Sequence, residues 1–199
     1  MAAAERRILA SDILPLAEFE RLRREKRAAL VAMKRDRRVA VGPFATFHFE
    51  NYATMWWQVH EMLRIEKGGP AQVADELAAY NPLIPQGHDL VATLMFEIDD
   101  PVARARARAG LGGVEHCVSL RVGELTLQAT IADDSAADRT TEEGKTSALH
   151  FLRFAFDQAA VEAFRDLARP AILGIAHENY GHLAVLPAAV RQALAADFA

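Results

Sequence analysis

Residues 49–68 decide the fold, and they read Phe-Glu-Asn-Tyr-Ala-Thr-Met-Trp-Trp-Gln-Val-His-Glu-Met-Leu-Arg-Ile-Glu-Lys-Gly. At about 100° per residue, this stretch predicts an amphipathic helix whose apolar arc must face a core. A second strip beside the arc is mixed in character, and its members are neighbours at i,i+3 and i,i+4 spacing. We take this strip as the first candidate for chemistry. The arc consists of Tyr52, Met55, Trp56, Val59, Met62 and Leu63, and the strip of Ala53, Trp57, His60, Glu61 and Arg64.

Length and composition indicate one domain over residues 1–199, because a chain of this size can bury a substantial core without covalent cross-links. The single cysteine, Cys117, excludes an intrachain disulfide and a cysteine-rich zinc or iron–sulfur centre. The N-terminus lacks an apolar region of signal-peptide length, and no run approaches the roughly 18 apolar residues of a membrane span. We therefore expect a cytoplasmic protein with no membrane association.

Charge is distributed unevenly along the chain. Residues 1–38 hold 11 Lys/Arg against 6 Asp/Glu, which leaves 12 against 21 for the rest. The acids and bases of this arm are interleaved, as on a solvated helix, so we expect no nucleic-acid partner. A partner-binding scaffold that uses the basic first helix stays open as an alternative.

Short elements flank the central helix. Helical spacing of apolar residues predicts a first helix over residues 15–34, and two strands follow over residues 37–41 and 45–50. Glu50 therefore enters the central helix on its polar side. Residues 90–98 are apolar on both alternating faces of the predicted strand, apart from two positions. This pattern is typical of a central strand that is covered on two faces.

A hairpin is the clearest local feature of the second half, with a two-residue turn at Gly123-Glu124. Its apolar residues pair on one face, so the predicted register is internally consistent. The acidic residues 133–145 that follow predict a loop. The predicted pairs are Val122 with Leu125, Leu120 with Leu127, Val118 with Ala129, and His116 with Ile131.

Histidines gather in the last third of the chain. His150 has the parity of the apolar residues of a strand over residues 147–156, so we expect it to face inward. A last buried strand over residues 170–176 should deliver a polar loop that contains Asn179 and Tyr180. His177 and His182 bracket this loop, and they make it a second candidate binding segment.

The familiar catalytic motifs are missing. His60-Glu61 begins a zincin-like motif, but the position four residues after His60 is Arg64 and not a second histidine. Walker A, Rossmann and serine-nucleophile motifs are also absent. Arg64 suits an anionic ligand, with Trp57 as a flat apolar wall. The alternative is that this strip is an ordinary packed polar network.

Five longer motifs mark a family resemblance: residues 49–66, 80–85, 90–99, 150–154 and 177–182. The chain resembles an uncharacterised bacterial family known only as a domain of unknown function (DUF 3501), over nearly its whole length. The resemblance brings no established activity. Members of that family are often encoded near rubrerythrin-like and iron–sulfur oxidoreductase proteins, which implies a redox or iron-associated setting and a redox or iron–sulfur protein partner.

We predict an α+β domain with a mainly antiparallel, curved sheet packed with the central helix and flanking helices, with barrel-like closure as one form of it. The leading functional hypothesis is an accessory protein that binds a small anionic ligand or a metal. A metal-dependent enzyme, with zinc or iron on His60, His177 and His182 and with Glu61 as base, is the rival. The oligomeric state stays open. The predicted ligand-binding residues are Glu50, Trp57, His60, Glu61, Arg64, His150, Asn179 and Tyr180, and we expect them to line one pocket.

Overall fold

The structure is a computed structural model, and it describes residues 6–132 and 146–199. This part of the chain contains six α-helices and nine β-strands. The helices are α1 (Leu16–Arg35), α2 (Tyr52–Glu66), α3 (Gly69–Tyr80), α4 (Pro101–Ala109), α5 (Gln158–Arg165) and α6 (Ala188–Ala195). The strands are β1 (Arg38–Val41), β2 (Ala45–Phe49), β3 (Asp89–Phe96), β4 (Val118–Val122), β5 (Leu125–Gln128), β6 (Thr130–Ile131), β7 (Leu149–Ala155), β8 (Ala171–His177) and β9 (Tyr180–Val185).

The described strands form two antiparallel sheets. Sheet I has the order β1-β2-β3-β7-β6, and sheet II has the order β5-β4-β8-β9. The predicted α+β class and the antiparallel pairing are therefore confirmed. Both described sheets have open edges, so the predicted curved sheet is divided in two and is not closed into a barrel.

The main core lies between the two sheets, and α5 and α6 complete it. A smaller core lies on the other face of sheet I, where Val91 of β3 clusters with Met55 and Val59 of α2. The central strand β3 is thus buried on both faces, which explains its apolar residues at both parities. The apolar arc of α2 faces this second core, as the sequence predicts. The inner face of sheet I contributes Phe47, Phe49, Leu94 and Phe154, and sheet II contributes Leu120 and Leu173.

Local sequence signals fix several helix ends. Asn51 caps α2 by accepting a hydrogen bond from the Thr54 N–H, and Asp100 and Asp157 cap α4 and α5 in the same way. The Gly123-Glu124 turn joins β4 to β5 in the predicted register. Gly123 has φ +57, a conformation that glycine adopts without the steric cost of a side chain.

Two sequence predictions are wrong in the second half of the chain. The hairpin ladder does not extend to His116, because residues 114–117 form a 3₁₀ turn and Ile131 pairs with Leu152 of sheet I. The strand over residues 170–176 is not the last one, because β9 pairs with it in register through the two-residue turn Glu178-Asn179. The predicted loop over residues 133–145 lies outside the described residues.

Candidate functional site

The mixed strip of α2 is covered by α1. Phe19 of α1 is 1% exposed, and its ring centroid lies 5.5 Å from that of Trp57 and 4.8 Å from that of His60. Glu20 and Arg23 of α1 also contact this strip. Because only two residues of α1, Phe19 and Leu30, are buried, the helix rests on α2 along a narrow line and leaves open space on both sides.

Ion pairs between α1 and α2 use two of the predicted site residues. Arg23 donates to both carboxylate oxygens of Glu61 at 2.7 and 3.0 Å, and Arg64 donates to Glu20 at 2.6 Å. The hydrogen bonds from Arg23 hold the pKa of Glu61 below its usual range. Partly exposed pairs of this kind contribute little to stability but fix how two helices lie together. Arg64 is therefore engaged with α1 through its Nε atom.

His60 is 2% exposed, and both of its ring nitrogens lie within hydrogen-bond distance of backbone groups. The Leu14 N–H donates to Nε2 at 3.0 Å, so the ring proton lies on Nδ1, which is 2.8 Å from the Trp56 carbonyl oxygen. Burial lowers the pKa of His60, against the opposing effect of the Trp56 carbonyl, and Lys26 lowers it further. His60 therefore acts as a neutral hydrogen-bond acceptor for the chain that precedes α1.

That preceding segment, residues 8–15, is here called the strap. It is fixed by three side chains of the helical layer: Asn81 exchanges two hydrogen bonds with Ile8, Trp56 Nε1 donates to the Asp12 carbonyl at 2.9 Å, and His60 accepts from Leu14. The strap thus crosses the layer formed by α1, α2 and α3.

A groove of about 740 Å³ opens beside the strap, between α1 and α2, and we call it the aromatic groove. Ligand pockets in proteins commonly have volumes of this size and combine apolar walls with a few polar groups. Lys26 is the basic residue among its described lining residues, and its Nζ lies 5.0 Å from the Trp56 ring centroid. The walls are Tyr52, Trp56 and Trp57 from α2 with Leu30 and Met33 from α1.

Glu50 lies apart from these contacts, at the end of β2. It is 5% exposed, and its Oε1 accepts a hydrogen bond from the Thr93 hydroxyl at 2.7 Å. Its Oε2 and the Nε2 of His48 are buried without a hydrogen-bond partner in the part of the chain that the structure describes. Burial lowers the pKa of His48, and the nearby Glu50 opposes this shift.

His150 faces the core, as its strand parity predicts. It is 2% exposed, and its Nε2 lies 2.9 Å from the Thr146 hydroxyl. Its Nδ1 lies 3.7 Å from a carboxylate oxygen of Glu115, which is also buried. This cluster belongs to the junction between β7 and the turn before β4.

The predicted binding loop at residues 177–182 is a tight hairpin whose polar groups hold neighbouring turns. His177 accepts from the Asn179 N–H at Nδ1 and lies 3.1 Å from the Gly112 carbonyl at Nε2. Asn179 donates from its side chain to the Gly110 carbonyl at 2.8 Å. These contacts fasten residues 110–113 to the end of sheet II.

Tyr180 and His182 pack against the β1–β2 turn. The Tyr180 hydroxyl donates to the Val41 carbonyl at 2.7 Å and accepts from the N–H groups of Phe44 and Ala45. Gly42 has φ +73, and a Cβ there would lie 2.6 Å from His182 and the Tyr180 hydroxyl. A glycine is therefore required where sheet I approaches sheet II.

The predicted site residues thus fall into separate groups and do not line one pocket. Trp57, His60, Glu61 and Arg64 lie at the α1–α2 contact, whereas the residues at positions 177–182 serve the β8–β9 hairpin. Within residues 6–132 and 146–199, no group of three His, Cys, Asp or Glu side chains is placed to hold a metal ion. A zinc or iron site on His60, His177 and His182 stays a prediction from the sequence alone.

Sequence reasoning missed Lys26 and the strap. Lys26 occupies a position of the α1 stripe that runs through Leu22, Leu30 and Met33, where helical spacing calls for an apolar residue. A lysine in such a stripe is the signal that could have pointed to the groove. The strap gave no comparable signal, because its contacts with Trp56, His60 and Asn81 span large separations in sequence.

The structure therefore defines an α+β protein with two packed antiparallel sheets. A helical layer covers the face of sheet I that points away from sheet II, and an apolar groove with aromatic walls opens in this layer. The chain belongs to the protein family of unknown function DUF3501, whose model matches residues 7–198. A similar solved structure is that of a novel protein of unknown function from Burkholderia pseudomallei K96243. It has 34% sequence identity and a TM-score of 0.88, and the match covers 96% of this chain and 99% of that one.

No curated protein matches this chain. Among the described helices, none is both long and apolar enough to cross a membrane.

Proposed function

We propose that this chain is a cytoplasmic accessory protein that binds a small ligand with a planar apolar body and an anionic group, in a redox or iron-associated pathway. One observation carries the proposal: the ammonium group of Lys26 lies over the Trp56 ring, in a groove that Trp57 and Tyr52 also line. Flat aromatic faces favour a planar ligand, and a single ammonium group at the edge selects for negative charge.

The proposal keeps the anionic ligand expected from the sequence but moves its cation from Arg64 to Lys26. Arg64 and Arg23 are both paired with carboxylates across the α1–α2 contact, whereas Lys26 lines the groove itself. Asp12 is the acidic residue among the described lining residues of the groove, and its carboxylate accepts a hydrogen bond from the Leu9 N–H within the strap at 2.7 Å. The family resemblance supports the redox or iron-associated setting.

Tryptophan fluorescence tests this proposal directly, because Trp56 and Trp57 are the only tryptophans of the chain and both line the groove. Titration with naphthalene-2-carboxylate should change the emission saturably. K26Q should weaken binding about threefold to fivefold at low salt, the range of one exposed charge pair. W57L should weaken it roughly fivefold through loss of aromatic contact.

Two controls separate site binding from general effects. K34Q removes the same charge from the same helix but outside the groove, so its affinity should equal that of the wild type. Naphthalene-2-carboxamide has the same shape without the charge, so K26Q should not affect its binding. An emission that stays constant at high naphthalene-2-carboxylate concentration, or equal weakening by K26Q and K34Q, would remove the proposal.

A further inference from the structure

The aromatic groove carries a negative charge as well as a positive one. Asp12 of the strap and Lys26 of α1 are the charged residues of its described lining, which is otherwise apolar or aromatic. A ligand that is only anionic would be attracted by Lys26 and repelled by Asp12, because unscreened charges act over several ångströms. The charge of the ligand that fits best is therefore set by both residues.

Both charged residues lie beside the same indole ring. The Lys26 ammonium lies 5.0 Å from the centroid of the Trp56 ring, and Trp56 Nε1 donates to the Asp12 carbonyl oxygen at 2.9 Å. In the described parts of the chain, the two side chains form no ion pair with each other. A ligand beside Trp56 can therefore meet a cation and an anion at the same time.

The position of Asp12 is fixed by the protein itself. Its carboxylate accepts from the Leu9 N–H at 2.7 Å, and hydrogen bonds to Ile8 and Leu14 attach the strap on either side of it. A carboxylate has about four lone-pair positions, so the bond from Leu9 leaves room for a further donor. A group that is already held in place binds a ligand at a smaller entropic cost.

We infer that the ligand is a zwitterion of the aromatic amino acid class, with its ring against the tryptophans, its carboxylate at Lys26 and its ammonium group at Asp12. This inference rests on the proposed function and names the ligand class for the same site. An ammonium group that leaves water without a partner is costly, and Asp12 supplies that partner. Matching both charges selects against simple aromatic acids and simple aromatic amines.

Three ligands with the same ring system separate the two charges. They are 3-(2-naphthyl)alanine, 3-(2-naphthyl)propanoate, which lacks the ammonium group, and 2-(2-naphthyl)ethylamine, which lacks the carboxylate. In isothermal titration calorimetry at low salt and neutral pH, the amino acid should bind about threefold to fivefold more tightly than either of the others, the range of one exposed charge pair. This advantage should shrink as salt is added. A propanoate that binds as tightly as the amino acid would overturn the inference.

D12N removes the charge of Asp12 but keeps an oxygen acceptor for the Leu9 N–H. It should weaken the amino acid about threefold to fivefold and should not weaken the propanoate. D36N removes an acid at the end of α1, outside the described lining of the groove, and should change neither affinity. Equal weakening of the amino acid and the propanoate by D12N would show a structural role for Asp12 and would refute the contact with the ammonium group.

The outcomes separate this inference from the proposed function. If naphthalene-2-carboxylate binds but an added ammonium group brings no gain in affinity, the zwitterion is wrong and the anionic ligand stands. If neither naphthalene-2-carboxylate nor the propanoate binds, the proposed function is wrong. The comparison of ligands uses the wild-type protein, so it decides the question even if thermal unfolding shows that D12N is not folded.

Discussion

Replacing Arg37 with methionine is expected to lower the free energy of unfolding by about 3–5 kcal/mol, the range for removing one partner of a buried ion pair. Arg37 is 4% exposed and donates to both carboxylate oxygens of Asp197, which is 7% exposed. Its guanidinium also donates to the Phe49 and Glu50 carbonyls at 3.0 Å each. Methionine would fill the space but leave a buried carboxylate and two carbonyls without their donor.

Urea unfolding at neutral pH measures this effect, and R38M is its matched control. Arg38 follows Arg37 directly, but it is exposed and pairs with Glu97 at the surface, so its loss should cost less than about 1 kcal/mol. D197N in the R37M background should recover part of the lost stability, because no buried charge then remains. Equal destabilisation by R37M and R38M would contradict the assignment.

The R37M cost should also depend on pH. Burial raises the pKa of Asp197, although Arg37 acts in the opposite direction. A carboxyl group whose pKa is raised on folding favours the folded state at pH below its unfolded value, and this contribution is lost as pH rises through the folded value. The penalty in R37M should therefore shrink on acidification, when the unpaired Asp197 carboxyl is neutral.

The contact of Arg37 with Asp197 illustrates what the sequence could not supply. The two residues are 160 positions apart, and neither stands out from the charged residues around it. Local features were predictable because their cause is local: a cap such as Asp100, the Gly123-Glu124 turn, or the two-sided apolar pattern of β3. Pairing between distant segments depends on packing geometry, which no short motif encodes.

The candidate site shows the same difference between local features, which the sequence predicts, and contacts between distant segments, which it does not. The amphipathic period of α2 correctly predicted two kinds of surroundings for its two sides, with the core on one. The mixed strip on the other side was expected to line one pocket with the late polar residues, but it meets Phe19, Glu20 and Arg23 of α1. Acidic and basic residues are interleaved on both α1 and α2, so many registers of one helix against the other would form ion pairs. The sequence alone therefore could not select the observed register.

The strand that follows His177 was missed for a different reason. In residues 180–185, exposed side chains alternate with the buried Tyr180 and the partly buried His182 and Ala184, but Gly181 and the polar neighbours obscure this strand pattern in the sequence. Once β9 forms, His177 and Asn179 lie in a tight turn, and their side chains satisfy backbone groups of residues 110–113. Polar side chains near a strand end serve a neighbouring turn as readily as a ligand, because buried backbone groups also need partners.

Replacing His60 with phenylalanine is expected to lower the free energy of unfolding by about 2–3 kcal/mol at pH 8, within the cost of an unsatisfied buried donor. Phenylalanine retains a ring between Phe19 and Trp56 but offers no acceptor to the Leu14 N–H, so the strap loses one of its three side-chain attachments. H88Q, at an exposed histidine away from the strap, is the control for the loss of an imidazole.

The pH dependence of stability tests the acceptor role of His60 more sharply. Burial lowers the pKa of His60, so the unfolded chain binds this proton more readily than the folded protein does. The stability from neutral His60 is therefore complete above about pH 6.5, the unfolded value, and is lost as pH falls through the folded value. Protonated Nε2 would point an N–H at the Leu14 N–H, which breaks the attachment of the strap.

The pKa of His48 is also lowered by burial, so the decisive quantity is the difference in stability between wild type and H60F at each pH. Urea unfolding between pH 8 and pH 5 should show a smaller loss of stability in H60F than in wild type, and parallel curves would exclude this role.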